Sequence, residues 1–425
     1  MRGRELGSTA APVVTEGRLL YSAAMTLHDD ASRRDRIRIG IAGLGAVAQA
    51  VHLPLLAKHG DTFEIAALAD LAPSLLEALG ARYNVPDAGR FGSVDALLDG
   101  AAIDGLLVLT SGSHGSVALE ALERGLAVLC EKPLAYTLAE ADALAASPNA
   151  DRLLLGYMKA FDPAVVEAAR LRADPNTGLG ALRQIEVTVL HPTSDSQLGF
   201  AHLLSAPAHF GAGGAGRRRP ATDDLVRAAI GDAAADVFGP LYGGVLLSSI
   251  VHELSVIRAV APDAGPFVAI DRVDTWPTDA VPGSVSLAGR LADGTRVSIG
   301  WHYLEDYPAY REDLRFHHVG GSVELSFPSP YRLHAPTLLT VSTGRDETRR
   351  RVVFDAIEEA FETELLAFAA LVRDGAAPRT GIADGRADIV TCQRAIASLV
   401  ARLGIEIGGE AARAGTDADP DGAAG

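Results

Sequence analysis

Short apolar runs alternate with amphipathic stretches from residue 37 to about 157, a pattern that predicts a doubly wound parallel sheet. Strands are expected at 37–42, 64–69, 105–110, 127–130 and 153–157, with helices at 47–58, 73–82, 114–124 and 138–146 between them. The unbroken run Leu106-Leu107-Val108-Leu109 suits a strand buried on both faces. Beyond Tyr157 the pattern changes. After a helix at 163–172, alternating or β-branched segments at 182–190, 267–276, 284–290, 296–303, 314–319 and 322–327 predict a large, mostly antiparallel open sheet. Asp293-Gly294 between two of these segments is a strong hairpin signal. Further helices are expected at 246–260, 356–371 and near 383–403. The fold class is α/β, with a parallel-sheet domain at 35–157 and a second α/β domain with the open sheet at 158–407. Residues 1–34 and 408–425 lack apolar periodicity and read as disordered tails, and the glycine-rich, then basic stretch 211–219 as a mobile loop.

A chain of 425 residues with 48% hydrophobic content exceeds the length at which single cores usually divide, which supports two domains. The formal charge of -16 argues against nucleic acid or an anionic membrane surface as the main partner. Cys130 and Cys392 sit in unrelated apolar contexts, so reduced thiols in a cytoplasmic protein are expected. No run of about 18 apolar residues suggests a membrane span. No metal site is expected either: His317 and His318 are adjacent, and on a strand they point to opposite faces.

The first predicted strand runs into Gly43-Leu44-Gly45-Ala46-Val47-Ala48, the G-x-G-x-x-A form of the dinucleotide fingerprint. Gly43 permits the tight turn, Gly45 lets backbone approach a pyrophosphate at the helix amino terminus, and Ala48 still allows close helix packing. A ligand-free glycine turn would read the same way. Asp70, at the end of the second strand, is placed to accept hydrogen bonds from the adenosine ribose hydroxyls, or to cap the helix that starts at Pro73. Leu71, Ala72 and Pro73 offer no cation for a 2′-phosphate, so NAD is favoured over NADP. Thr110 and Ser111-Gly112-Ser113-His114 leave the sheet at the same edge, and His114 either lines the nicotinamide side or caps its helix. Glu131-Lys132-Pro133 puts a carboxylate and an ammonium at another strand's carboxyl end, where open parallel sheets bind ligands.

Together with Tyr157-Met158-Lys159 before Phe161-Asp162-Pro163, and with Glu364-Leu365-Leu366-Ala367-Phe368 and Pro378-Arg379-Thr380, these residues resemble the Gfo/Idh/MocA family of oxidoreductases over about 37–403. The resemblance implies a Rossmann domain joined to an α/β domain whose open sheet mediates homo-oligomer contact, with the site between them. It also implies that Lys132 contacts substrate and the nicotinamide region, and that Pro133 is cis. His252 matches the family's catalytic histidine. Ser248 stands where relatives carry an aspartate, so the usual carboxylate partner is missing. Glu253 points about 100° away on an ideal helix and is a poor substitute.

The chemistry implied is hydride transfer between nicotinamide and a secondary alcohol or ketone of a sugar, sugar derivative or cyclitol, with His252 as base and Lys132 orienting the hydroxyl. Cofactor contacts are expected from Gly43, Leu44, Gly45, Ala46, Val47, Asp70, Thr110, Ser111, His114, Glu131 and Lys132. Substrate contacts are expected from Lys132, Ser248, His252 and Tyr303. Ser248 also favours a rival, a dinucleotide- and sugar-binding regulator without redox chemistry, and a third reading is elimination or glycosidic cleavage with NAD recycling. Tyr303, Asp306, Tyr307 and Arg311 read more readily as a polar loop or oligomer contact than as a substrate surface, while His191 and Lys159 are open.

Overall fold

The computed structural model describes residues 36–205, 221–277, 283–345 and 348–414. The tail 1–34 and the loop 211–219 lie outside these residues. Six parallel strands form the first sheet: β1 (Ile37–Ala42), β2 (Phe63–Ala69), β3 (Arg90–Phe91), β4 (Gly105–Val108), β5 (Ala127–Glu131) and β6 (Leu153–Gly156). Their order is β3-β2-β1-β4-β5-β6, the Rossmann arrangement, with the chain's direction of winding reversed between β1 and β4. The two-residue β3 was not anticipated because a strand that short carries no readable period. Gly43 has φ of 95°, and a Cβ there would lie 2.7 Å from the Leu109 carbonyl oxygen, so the turn after β1 requires glycine.

Eight strands form the second sheet: β7 (Leu182–His191), β8 (Phe267–Trp276), β9 (Ser284–Leu291), β10 (Arg296–Tyr303), β11 (Arg311–His318), β12 (Gly321–Phe327), β13 (Leu338–Arg345) and β14 (Thr348–Phe354). The order is β14-β13-β12-β11-β7-β10-β9-β8, and within it only β7 and β10 pair in parallel. Asp293-Gly294 makes the β9–β10 hairpin, with Gly294 at φ 87°. Alternation puts Ile185, Val187, Val189, Leu314, Phe316, Val323 and Leu325 into the core, while Thr188, Arg315 and Ser326 face outward. β14 has no buried face and contains Arg349-Arg350-Arg351, which is why its pattern gave no strand signal.

The helix expected at 246–260 is the end of a longer run. It begins as Asp232–Leu241, widens to a π-helix over Tyr242–Ile250 and returns to α-geometry over Val251–Val260. Pro240 within the first part supplies no backbone donor, and Gly243-Gly244 opens the wide turns that follow. The run is long and apolar enough to cross a bilayer, but Leu246, Leu247, Ile250, Val251, Leu254, Val256, Ile257 and Val260 are buried in the protein interior.

The division at 157 is not a division of the core. Helix Ala360–Asp374, beyond the second sheet, returns to β1, β5 and β6, and Phe361, Leu365 and Phe368 join a core with Ile39, Ile41 and Leu129. A Cβ on Gly105 would lie 2.9 Å from the Phe368 ring. Helix Ile382–Leu403 packs on β8 and on helix Leu138–Ala145, with Gly385 seated against Leu134. A parallel sheet must be covered on both faces, and the chain's last helices complete that cover. The expected tail at 408–425 is likewise shorter than its composition suggested. Gly408 donates to the Ile230 carbonyl, Ala411 is fully buried, and the Glu410 carboxylate accepts the Leu138 and Ala139 N–H groups at 2.6 and 2.9 Å. A carboxylate at a helix amino terminus is favoured by both hydrogen bonding and the helix dipole.

Phe368→Ala should therefore destabilise the Rossmann domain, although Phe368 lies outside its sequence, by about 3–5 kcal/mol. Denaturant titration followed by near-ultraviolet dichroism checks this, and a loss below about 1 kcal/mol would make the helix an appendage.

Candidate active site

β1, β2 and β4 deliver their carboxyl ends to one cleft of about 460 Å³, lined by Gly43, Leu44, Gly45, Ala46, Asp70, Thr110 and Ser111. The space above Gly45 is open, so a Cβ there would meet nothing within 4 Å. Asp70 grips the turn itself: one carboxylate oxygen accepts the Leu44 N–H and the other the Ala72 N–H, both at 2.8 Å. It thus ties the turn after β1 to the turn after β2, and its two-residue bond to Ala72 replaces the expected helix cap. Leu203 and Leu204 close one side of the cleft. Gln49 holds this segment by donating to the Leu204 carbonyl at 3.1 Å and accepting the Leu204 N–H at 2.8 Å.

Four expected cofactor contacts, Val47, His114, Glu131 and Lys132, do not line this cleft. Val47 lies in the first helical turn after Gly45 and packs against the core. His114 neither lines the cleft nor caps its helix through its side chain. It is buried, with Nδ1 2.7 Å from the Pro133 carbonyl oxygen and Nε2 2.5 Å from that of Thr110, so it braces the end of β4 against the turn after β5. Glu131 is buried beneath its own backbone, 3.1 Å from Nε2 of His52 and accepting the Lys132 N–H at 3.2 Å. Burial alone would raise its pKa, but the His52 hydrogen bond and the nearby Lys132 charge hold it below the ordinary carboxylate value.

The Lys132–Pro133 bond is cis. Lys132 reaches across the domains and donates from Nζ to the Ser248 backbone carbonyl at 2.9 Å. Ser248 therefore does contribute to Lys132, but through its main chain; its Oγ turns back to donate to the Gly244 carbonyl. One turn on, His252 sits against Tyr157 with ring centres 6.3 Å apart, and its Nδ1 is buried without a hydrogen-bond partner. Tyr157 is itself fixed by donating to Asp388 at 2.6 Å, and Asp388 also accepts two bonds from Arg258 at 2.9 and 3.0 Å. Burial lowers the Lys132 pKa, and burial together with the Lys159 and Lys132 charges pushes His252 well below the usual histidine value.

The part that sequence reasoning missed lies behind this pair. Lys159 is buried and ion-paired to Glu312, and lies 3.7 Å from Glu253, over the Phe327 ring. Glu253 and Glu312 are both fully buried. Tyr310 donates to Glu312 at 2.5 Å and meets His191 edge to face at 5.7 Å. His191 lies in turn against Trp301 and Tyr303, which stack on each other at 6.3 Å, and Trp301 donates to Ser249 Oγ at 2.9 Å. Tyr303 is therefore part of an aromatic wall on the helix side of the second sheet, while Asp306 and Arg311 stay exposed. A signal for Glu312 was present: it alternates in phase with Leu314 and Phe316 on the apolar face of β11.

Residues 37–155 match the model of an oxidoreductase family with an NAD-binding Rossmann fold. A protein of Amycolatopsis mediterranei, provisionally named a UDP-kanosamine synthase oxidoreductase subunit, is 26% identical over 82% of this chain and 92% of its own length. An inositol 2-dehydrogenase of Corynebacterium glutamicum is 30% identical over 134 residues, which are 30% of this chain and only 38% of that enzyme. Among solved structures, myo-inositol 2-dehydrogenase of Lactobacillus plantarum superposes with a TM-score of 0.62 at 18% identity, covering 87% of this chain and 98% of that one. The family match covers the Rossmann domain, and over that domain the chain is similar to the Gfo/Idh/MocA oxidoreductases.

Asp70→Ala should loosen the Leu44 turn and weaken NAD binding about tenfold, as expected for a lost charge-assisted hydrogen bond. Fluorescence titration with NADH measures this; an unchanged affinity would remove Asp70 from the cofactor site.

Proposed function

We propose that this protein catalyses the reversible, NAD-dependent oxidation of a secondary alcohol on a sugar, nucleotide sugar or cyclitol. The observation that carries the reading is the convergence of Lys132, from the end of β5, and His252, from the helix after the π-turn, at the carboxyl edge of a parallel sheet that also holds the glycine turn and Asp70. Gly43 to Ala46 and the helix amino terminus behind them would hold the dinucleotide, whose nicotinamide supplies the hydride acceptor.

The rest of the chemistry belongs to the side chains. His252 has its pKa held low by burial and by two ammonium groups, so it is neutral near pH 7 and free to take the hydroxyl proton. Lys132 is anchored to the Ser248 carbonyl by one of three donors, which leaves others to orient the hydroxyl and stabilise developing alkoxide charge. Trp301, Tyr303 and His191 offer an aromatic wall suited to the C–H face of a sugar ring. The names carried by the relatives, a UDP-sugar oxidoreductase subunit and inositol dehydrogenases, support the same substrate class. Assembly into a homo-oligomer through the polar outer face of the eight-stranded sheet belongs to this reading as well.

The uncharged Ser248 favours a second reading, a sensor that binds dinucleotide and sugar without turnover. A panel of sugars, nucleotide sugars and cyclitols, followed by NADH absorbance, separates the two. His252→Ala should lower turnover about 10²- to 10⁴-fold while leaving NADH affinity within about twofold. Product without net NADH would indicate cofactor recycling, and an unchanged rate in the variant would exclude His252 as base.

A further inference from the structure

Two carboxyl groups and one ammonium occupy a closed space behind the proposed site. Glu253 and Glu312 have no exposed surface and Lys159 is 4% exposed. Lys159 ion-pairs with Glu312 and stands 3.7 Å from Glu253, and Tyr310 adds its hydroxyl to Glu312. Neither Glu253 oxygen nor Oε1 of Glu312 has a hydrogen-bond partner. One ammonium cannot neutralise two buried carboxylates, so the desolvation of a second anion in that space is only partly offset.

Resting on the oxidoreductase reading above, we propose that Lys159, Glu253 and Glu312 hold one proton between the two carboxyl groups and act as the charge-compensating group for His252 and Lys132. The cluster is built into the elements that carry the pair. Glu253 follows His252 on the same helix, and Lys159 lies on the short turn Met158–Phe161 that packs against that helix. The ionisable groups facing it are Lys132 from the end of β5, His252, His191 at the end of β7, Tyr310 before β11, and Asp162, which accepts from Thr337.

Electrostatics agrees with the geometry. Burial first, and then the charge of Glu312, raise Glu253 from an ordinary 4.5 to about 8, whereas Lys159 opposes the rise. The site meanwhile gathers positive charge: Lys159 depresses His252, Lys132 and His191 alike. When His252 accepts a proton from substrate, a third cation forms there. A cluster that loses its own proton near pH 8 becomes net negative and favours that cation. These are positioning residues, acting on the reacting groups through charge.

The sign of the pH effect follows by linkage. A carboxyl with a folded-state pKa above its unfolded value stabilises the fold fully below the unfolded pKa, and loses that contribution as pH rises from about 4.5 to about 8. Glu253→Gln and Glu312→Gln each leave one carboxylate for one ammonium and no proton to lose. Relative to wild type, the melting temperature of each variant should rise by at least about 2 °C between pH 5 and pH 8. A difference that stays flat with pH would overturn the shared proton, whether or not any substrate has been found. With an active substrate, each variant should lose the inflection near pH 8 in kcat, and the double variant should lose about tenfold more than the product of the single effects, because Lys159 is then uncompensated. Additive effects with an unmoved inflection would overturn the charge-compensating role; a substrate panel silent in wild type would count against the oxidoreductase reading alone, leaving the melting data to decide on the proton.

Discussion

The contact on which the rest of the site depends is the hydrogen bond from Lys132 to the Ser248 carbonyl. It joins the carboxyl end of a Rossmann strand to the helix that carries His252, and so ties the two halves of the molecule together at the candidate site. A main-chain carbonyl can play this part because the helix is widened to π-geometry around Ser248. Wide turns leave backbone carbonyls more open to outside donors than a regular α-helix does. The ammonium thus keeps a fixed partner even though the side chain at 248 carries no charge.

That contact sits within an unusual balance of charge. Lys132, Lys159, His252 and His191 converge from four elements, and burial lowers the pKa of Lys132, His252 and His191. The compensating carboxyl groups stand behind the pair rather than beside it, on the next residue of the same helix and on the inner face of β11. Arg258, Asp388 and Tyr157 form a separate, fully paired triangle that backs the His252 ring. Stability and reactivity are therefore carried by neighbouring but different networks: the triangle satisfies its polar atoms, while the Lys159 cluster leaves three carboxyl oxygens without partners.

The division of labour between domains is less clean than the change of pattern at Tyr157 suggests. Helix Ala360–Asp374 returns to cover the first sheet, helix Ile382–Leu403 bridges β8 and the Rossmann domain, and Thr380 exchanges hydrogen bonds with Leu155 at the β6 edge. Motion of one half against the other must therefore bend the chain elsewhere, or carry these helices along. The cleft wall at Leu203 and Leu204 is tied down more lightly, by the two Gln49 bonds.

The sequence by itself determined the parallel sheet, most of the antiparallel one and the glycine turn with Asp70, whereas Lys132 and His252 entered as candidates through the family resemblance. These are local matters: a period of two or of 3.6, a turn that needs positive φ, or a short motif at a strand's end is written within a few consecutive residues. What only the tertiary structure decided are relations between residues far apart in the chain. His114 had the right position to meet a cofactor, and the fold turned it inward to the Pro133 carbonyl. Glu253 was correctly placed off the His252 face, but nothing local to it told that Lys159 and Glu312 would bury against it. Glu410 looked like part of a loose tail until the amino terminus of helix Leu138–Ala145 was brought beside it. In each case the deciding term is desolvation, which depends on what the rest of the chain packs against a group and is not encoded in its immediate neighbours.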